Sequence, residues 1–248
     1  MTESAPDRCD TRNRFLLVVD SDITTLSQTS RILERFHYQV FKAASAEEAL
    51  QMATVALPAV IITCLALKGM NGLELIEELK QYSATAPIPV IALSRQDDFF
   101  VKKRCLELGA VDCLKFPVLP EELYRVIQSS AEKTPRKSMR IQTVLPIKIH
   151  TPEERAEEQM TLELSASGLF LPLPSHSQIK TNLALDLALP GRRVSAEARV
   201  IYVCDSNEGP CRKPGVGLEF TRISSEDKEL VHRFIVHEIT EEMDYSHS

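Results

Sequence analysis

Five times between Phe15 and Glu132 an apolar run is followed by a stretch with apolar residues at helical spacing, and after Pro135 that alternation stops. Phe15-Leu16-Leu17-Val18-Val19 is continuous and apolar, as a strand buried on both faces requires. Ile23, Leu26, Ile32, Leu33 and Phe36 then fall on one helical face. The same reading gives strands Gln39–Ala43, Ala59–Thr63, Pro89–Leu93 and Val111–Leu114, and helices Ala46–Val55, Leu73–Tyr82, Asp97–Leu108 and Pro120–Glu132. Alternation of this kind predicts a doubly wound, five-stranded parallel sheet with helices on both faces. Chemistry in such sheets lies at the carboxyl ends of the strands, here Asp20, Cys64, Ser94 and Lys115–Phe116.

Lys133-Thr134-Pro135-Arg136-Lys137 ends the last helix and reads as a linker. Beyond it, Val144–His150, Met160–Leu164, Leu169–Leu171, Leu183–Leu189, Val194–Cys204 and Val216–Thr221 read as strands punctuated by glycine and proline. The charged stretch Thr151–Glu158 reads as a loop. Ser224-Ser225-Glu226-Asp227 is a helix start, and Leu230, Val231, Phe234, Ile235 and Ile239 give that helix an apolar face. The prediction is a six-stranded antiparallel barrel with a C-terminal helix. The domains expected are 14–133 and 134–240.

Composition narrows the function classes. The net charge is −6 with no strongly basic half, so general nucleic-acid binding is not expected. No run of about 18 apolar residues is present, so no membrane span is expected. Met1–Thr11 is polar and lacks the apolar centre of a secretory signal. The six cysteines contain no Cys-x-x-Cys pair, which fits free thiols in a reducing cytoplasm. Cys204 and Cys211 flank a hairpin tip and are the pair that sequence brings nearest, but a disulfide is not expected in that compartment. His232 and His237 are five apart on a helix and do not share a metal-binding face. There is no Ser-His-Asp set and no glycine-rich phosphate loop, so neither enzyme chemistry nor a cofactor is expected.

The run from Pro58 through Val60-Ile61-Ile62-Thr63-Cys64 to Met70-Asn71-Gly72 resembles the third strand and following loop of a bacterial response-regulator receiver domain. The resemblance extends over roughly residues 14–133. It implies a phosphorylation site in which carboxylates hold a cation, an aspartate accepts the phosphoryl group, and a hydroxyl and a lysine bind its oxygens. Asp20 matches the first acid and Ser94 the hydroxyl, while Ser21 replaces the second acid, Cys64 the acceptor and Phe116 the lysine. Lys115 is adjacent, but neighbouring strand residues point to opposite faces. A receiver that cannot be phosphorylated is the expectation. Cys64 is then either a small apolar plug or a redox-active thiol; no histidine or arginine lies near it in sequence to activate it. The resemblance also implies homodimer or partner contacts through the fourth and fifth helices, which carry Phe99, Phe100 and Tyr124; at helical spacing such aromatics are more often core.

Arg136-Lys137-Ser138-Met139-Arg140 is an Arg-x-x-x-Arg element. Glu163-Leu164-Ser165-Ala166-Ser167-Gly168 sits at a strand end with Gly168 able to make a tight turn, and Gly215-Val216-Gly217-Leu218-Glu219-Phe220 precedes the final helix. Together these resemble the PilZ domain, a barrel that binds cyclic di-GMP, whose signature adds Asp/Asn-x-Ser-x-x-Gly to the paired arginines. Arginine suits such a ligand because it grips phosphate bidentately and stacks on purines. The resemblance assigns nucleotide contacts to Arg136, Arg140, Glu163, Ser165 and Gly168, with Glu163 one methylene longer than the usual acid or amide. The alternative is that the arginines only pin the linker to the barrel. The chain thus reads as a cytoplasmic, non-catalytic cyclic di-GMP receptor with an unidentified protein partner. A protein–protein scaffold that binds no nucleotide and, third, a Cys64 redox sensor are the alternatives.

Overall fold

The apolar run of β1 (Phe15–Val19) pairs in parallel with β2 (Gln39–Ala43) and β3 (Val60–Cys64) in the computed structural model, which describes residues 15–132, 135–136, 138–150, 156–172, 182–204 and 214–240. The chain divides into two compact units between Lys137 and Ser138. In the first, β4 (Val90–Ser94) and β5 (Asp112–Lys115) complete a five-stranded sheet of order β2-β1-β3-β4-β5. Every pairing is parallel, so each connection needs a crossover helix. These are α1 (Ile23–Arg35), α2 (Ala46–Ala56), α3 (Gly72–Gln81) and α4 (Phe99–Glu107), with α5 (Pro120–Ala131) following β5. β3 and β4 are buried at every position because helices cover both faces. Helix starts follow the capping chemistry of the sequence: Asp22 accepts from the N–H groups of Thr24 and Thr25, and Asn71 with Glu74 forms a capping box on α3.

The second unit is an antiparallel sheet with eight strands among the described residues. They are β6 (Arg140–Gln142), β7 (Pro146–His150), β8 (Ala156–Met160), β9 (Glu163–Ser165), β10 (Gly168–Leu171), β11 (Asn182–Leu189), β12 (Arg192–Cys204) and β13 (Gly215–Ile223). Their order is β6-β9-β10-β13-β12-β11-β7-β8, and the sheet forms a half-barrel. Register shifts between β12 and β13 at Glu197/Ala198 and Val200/Tyr202 add local twist. Helix α6 (Ser225–Thr240) lies against β6 and β9 and buries Val231, Ile235 and Ile239, one residue per turn. The Ser224 hydroxyl accepts from the Asp227 N–H at its start.

Two strands exceed the six read from sequence. β8 occupies part of the charged stretch expected to be a loop. It is an edge strand, where charge on the outer face is tolerated and Lys148 pairs with Glu158 at 3.0 Å. β6 is too short to show a period, and the chain breaks between Met160 and Glu163 where one continuous strand was expected. Of the linker, Lys133, Thr134 and Lys137 lie outside the described residues, as does Cys211 of the cysteine pair. No helix among the described residues is long and apolar enough to cross a membrane.

Candidate functional site

The carboxyl ends of β1, β3, β4 and β5 bring Asp20, Cys64, Ser94 and Phe116 to one edge of the first sheet. Asp20 and Cys64 are each 4% exposed. Asp20 Oδ1 accepts from the Asp22 N–H at 2.9 Å, whereas the buried Oδ2 has no N–H or O–H partner. Burial raises the Asp20 carboxyl above the usual range, against the pull of the Asp22 N–H and the Arg95 charge. Burial likewise raises the Cys64 thiol, with the Ala66 N–H pulling the other way and the Asp20 charge adding to the rise. Cys64 is therefore a protonated thiol beside a carboxyl group. Ser94 is engaged locally: its Oγ donates to the Gln96 carbonyl at 2.9 Å and accepts from the Gln96 N–H at 3.1 Å. Lys115 is exposed and pairs with Asp97 of the β4–α4 loop at 3.1 Å.

The residue that sequence reasoning missed here is Arg95. Its guanidinium carbon sits 5.6 Å from the centre of the Phe116 ring. Its Nη2 donates to Thr25 Oγ1 at 3.3 Å and lies 4.0 Å from Asp22 Oδ2. The available signal was its place one residue beyond Ser94, at the end of a buried strand. A receiver of the ordinary kind holds magnesium, but these residues do not fit it. Asp20 is the one carboxylate among the five matched positions, Ser21 supplies none, Cys64 is a neutral soft donor, and Arg95 sets a positive charge beside Asp20.

Four of the five residues that the PilZ resemblance assigns to nucleotide contact converge in the second unit. Arg140 on β6, Glu163 and Ser165 on β9 and Gly168 on β10 line an open cleft of ≈ 160 Å³ with Ser167, Tyr202 and Glu219. The register places Arg140 opposite Ser165, and Ser165 opposite Gly168. Arg140 Nη1 lies 3.7 Å from Oε2 of Glu163, which is only 6% exposed. Ser165 Oγ donates to the Gly168 carbonyl at 2.9 Å and lies 3.3 Å from Ser167 Oγ. Gly168 serves close approach rather than the expected turn: a Cβ there would sit 2.0 Å from the Leu218 carbonyl oxygen of β13. Gly217 plays a similar part at the cleft floor, where a Cβ would meet the Tyr202 ring at 2.0 Å. That ring in turn stacks on Phe170 at 6.1 Å. Sequence reasoning quotes Gly217 within the glycine-bearing strand that carries the resemblance but gives it no place in the site, and it does not single out Tyr202.

Arg136 groups with the first unit. Its backbone N–H donates to Gln128 Oε1 of α5 at 2.9 Å and its side chain is exposed. On the helices named as contact faces, Phe99 and Phe100 are 75% and 77% exposed, not core, while Tyr124 is buried and meets Phe36 edge-on at 4.9 Å.

A doubly wound α/β module is thus followed by an antiparallel half-barrel with a glycine-edged cleft. The chain belongs to the response regulators, with a response regulator receiver domain over residues 16–128, and it carries a PilZ domain over residues 134–237. It is 33% identical over 111 residues to the alkaline phosphatase synthesis transcriptional regulatory protein PhoP of Bacillus subtilis, covering 45% of each chain. It is 35% identical over 114 residues to the two-component response regulator ORR6 of Oryza sativa subsp. japonica, covering 45% of this chain and 67% of that one. Among solved structures, the chemotaxis response regulator CheY4 of Vibrio cholerae is similar at 28% identity and a TM-score of 0.45, over 47% of this chain and 98% of that one.

Proposed function

We propose that the chain is a non-catalytic cytoplasmic receptor that binds cyclic di-GMP at the Arg140–Glu163–Ser165–Gly168 cleft, joined to a receiver that is not phosphorylated and serves as an interaction or dimerisation module. The observation that carries this reading is the convergence of those four residues on one open cleft. Arg140 would grip phosphate, and the Ser165 and Gly168 edge would lie against the nucleotide. Arg136, on the exposed linker, would supply the second guanidinium. The raised, protonated state of the Cys64 thiol weighs against the redox alternative.

Calorimetry with cyclic di-GMP tests the reading. Arg136→Ala and Arg140→Ala should each lose roughly 1.5–3 kcal/mol, about tenfold or more in Kd. Glu163→Asp should tighten binding by withdrawing the carboxylate one methylene. GTP and cyclic GMP should compete poorly. No detectable heat at high micromolar ligand, with no rescue by Glu163→Asp, would establish the scaffold reading instead. That second reading is favoured by the exposed Phe99–Phe100 pair at the start of α4.

A further inference from the structure

We propose that Arg95 is the built-in cation of the receiver's phosphorylation pocket, holding the loop between β4 and α4 in one arrangement without metal or phosphoryl group. The position of the guanidinium carries the inference. It contacts Phe116, which stands where the family's lysine belongs, and so returns a positive charge to a pocket that has lost one. It hydrogen-bonds Thr25 and approaches Asp22, both at the start of α1. Asp22 is itself fixed as the α1 cap and donates its N–H to Asp20. Arg95 thereby joins the β1–α1, β4–α4 and β5–α5 connections, the three segments that a bound cation and a phosphoryl group would otherwise draw together.

Each contact of a half-exposed guanidinium is weak alone. Their convergence matters because the rest of the loop is pinned as well. Ser94 Oγ holds the Gln96 backbone, Asp97 pairs with Lys115, and Asp98 Oδ1 accepts from the Phe100 N–H at 2.7 Å to start α4. Phe99 and Phe100 follow directly on this loop as the first residues of α4. This inference stands apart from the nucleotide reading, since every group in it belongs to the first unit.

The test uses the full chain and Mg²⁺ as the probe. Cys64→Asp supplies a second carboxylate beside Asp20. With Arg95 present, that variant should bind Mg²⁺ about tenfold more weakly than Cys64→Asp/Arg95→Ala, because the guanidinium opposes a divalent cation. Cys64→Asp/Arg95→Lys should restore the weak binding, since it keeps the charge. In the otherwise native chain, Arg95→Ala should speed amide exchange over Ser94–Phe100 with the far-UV spectrum unchanged, and this measurement decides alone if the Cys64→Asp variants do not fold. Equal Mg²⁺ affinity with and without Arg95, or unchanged exchange in the loop, overturns the proposal.

Discussion

Asp20 is a buried acid whose Oδ2 meets no N–H or O–H donor and has only the weakly donating Cys64 thiol beside it, so its charge works against the fold. Its carboxyl is raised in the folded chain, which means the native state holds that proton more tightly than the unfolded state does. Its contribution to stability is therefore complete below the unfolded value of about 3.9 and is lost as pH rises through the raised native value. Asp20→Asn keeps an acceptor for the Asp22 N–H and removes the charge. It should stabilise the chain by about 1 kcal/mol at pH 7 in urea unfolding, with the gain shrinking toward pH 4. A variant equal to or weaker than the parent at pH 7 would show that Oδ2 is better solvated than its burial suggests. At the other site, Gly217→Ala would drive a methyl group into the Tyr202 ring and disturb its stack on Phe170. It should cost roughly 1–3 kcal/mol in the same assay and weaken cyclic di-GMP binding, because Tyr202 lines the cleft. The motif residues were legible in sequence because motifs are local. Arg95 and Tyr202 were not, because their roles depend on strand pairing and on which face each residue takes.

At the scale of elements, the α/β half was legible because its strands are buried on both faces and its helices carry clear caps. Asn71 is one such cap: its Oδ1 accepts from Leu73 at 2.9 Å and Glu74 at 3.0 Å, and Glu74 Oε2 accepts from the Asn71 N–H at 2.8 Å. Asn71→Ala should lower stability by about 1 kcal/mol, read as a lower midpoint in urea, with nucleotide affinity unaltered because α3 lies in the receiver. An unchanged midpoint would show that packing alone sets the start of α3. The β half was less legible where apolar patterning stops reporting on structure. Among the described residues β8 is a charged edge strand paired with β7 alone, and β6 is three residues long. What holds them is pairing to a neighbour, and single-sequence patterning does not register a partner. Phe99 and Phe100 show the converse: apolar residues at helical positions that the fold leaves outside.

At the scale of the whole molecule, the question is how ligand at one unit would be felt by the other. In the proposed function Arg136 would supply the second guanidinium to the nucleotide, yet its backbone N–H is bound to Gln128 of the receiver. Gln128 is buried, and its Nε2 donates to the equally buried Tyr38 hydroxyl at 2.7 Å. The amide thus spans a receiver core group and the linker. Losing Gln128 alone would strand the Tyr38 hydroxyl and confuse stability with coupling, whereas removing both buried partners together is close to neutral. Tyr38→Phe/Gln128→Met therefore frees the Arg136 N–H with little damage to the core. If binding requires that bond to break, this double variant should bind cyclic di-GMP about fivefold more tightly, the equivalent of one hydrogen bond of about 1 kcal/mol. The same bond would then be the route by which nucleotide loosens the linker from α5, since a coupling free energy acts equally in both directions. Unchanged affinity by calorimetry in the double variant, with Arg136→Ala still impaired, would place the linker's hold on the receiver outside the binding step.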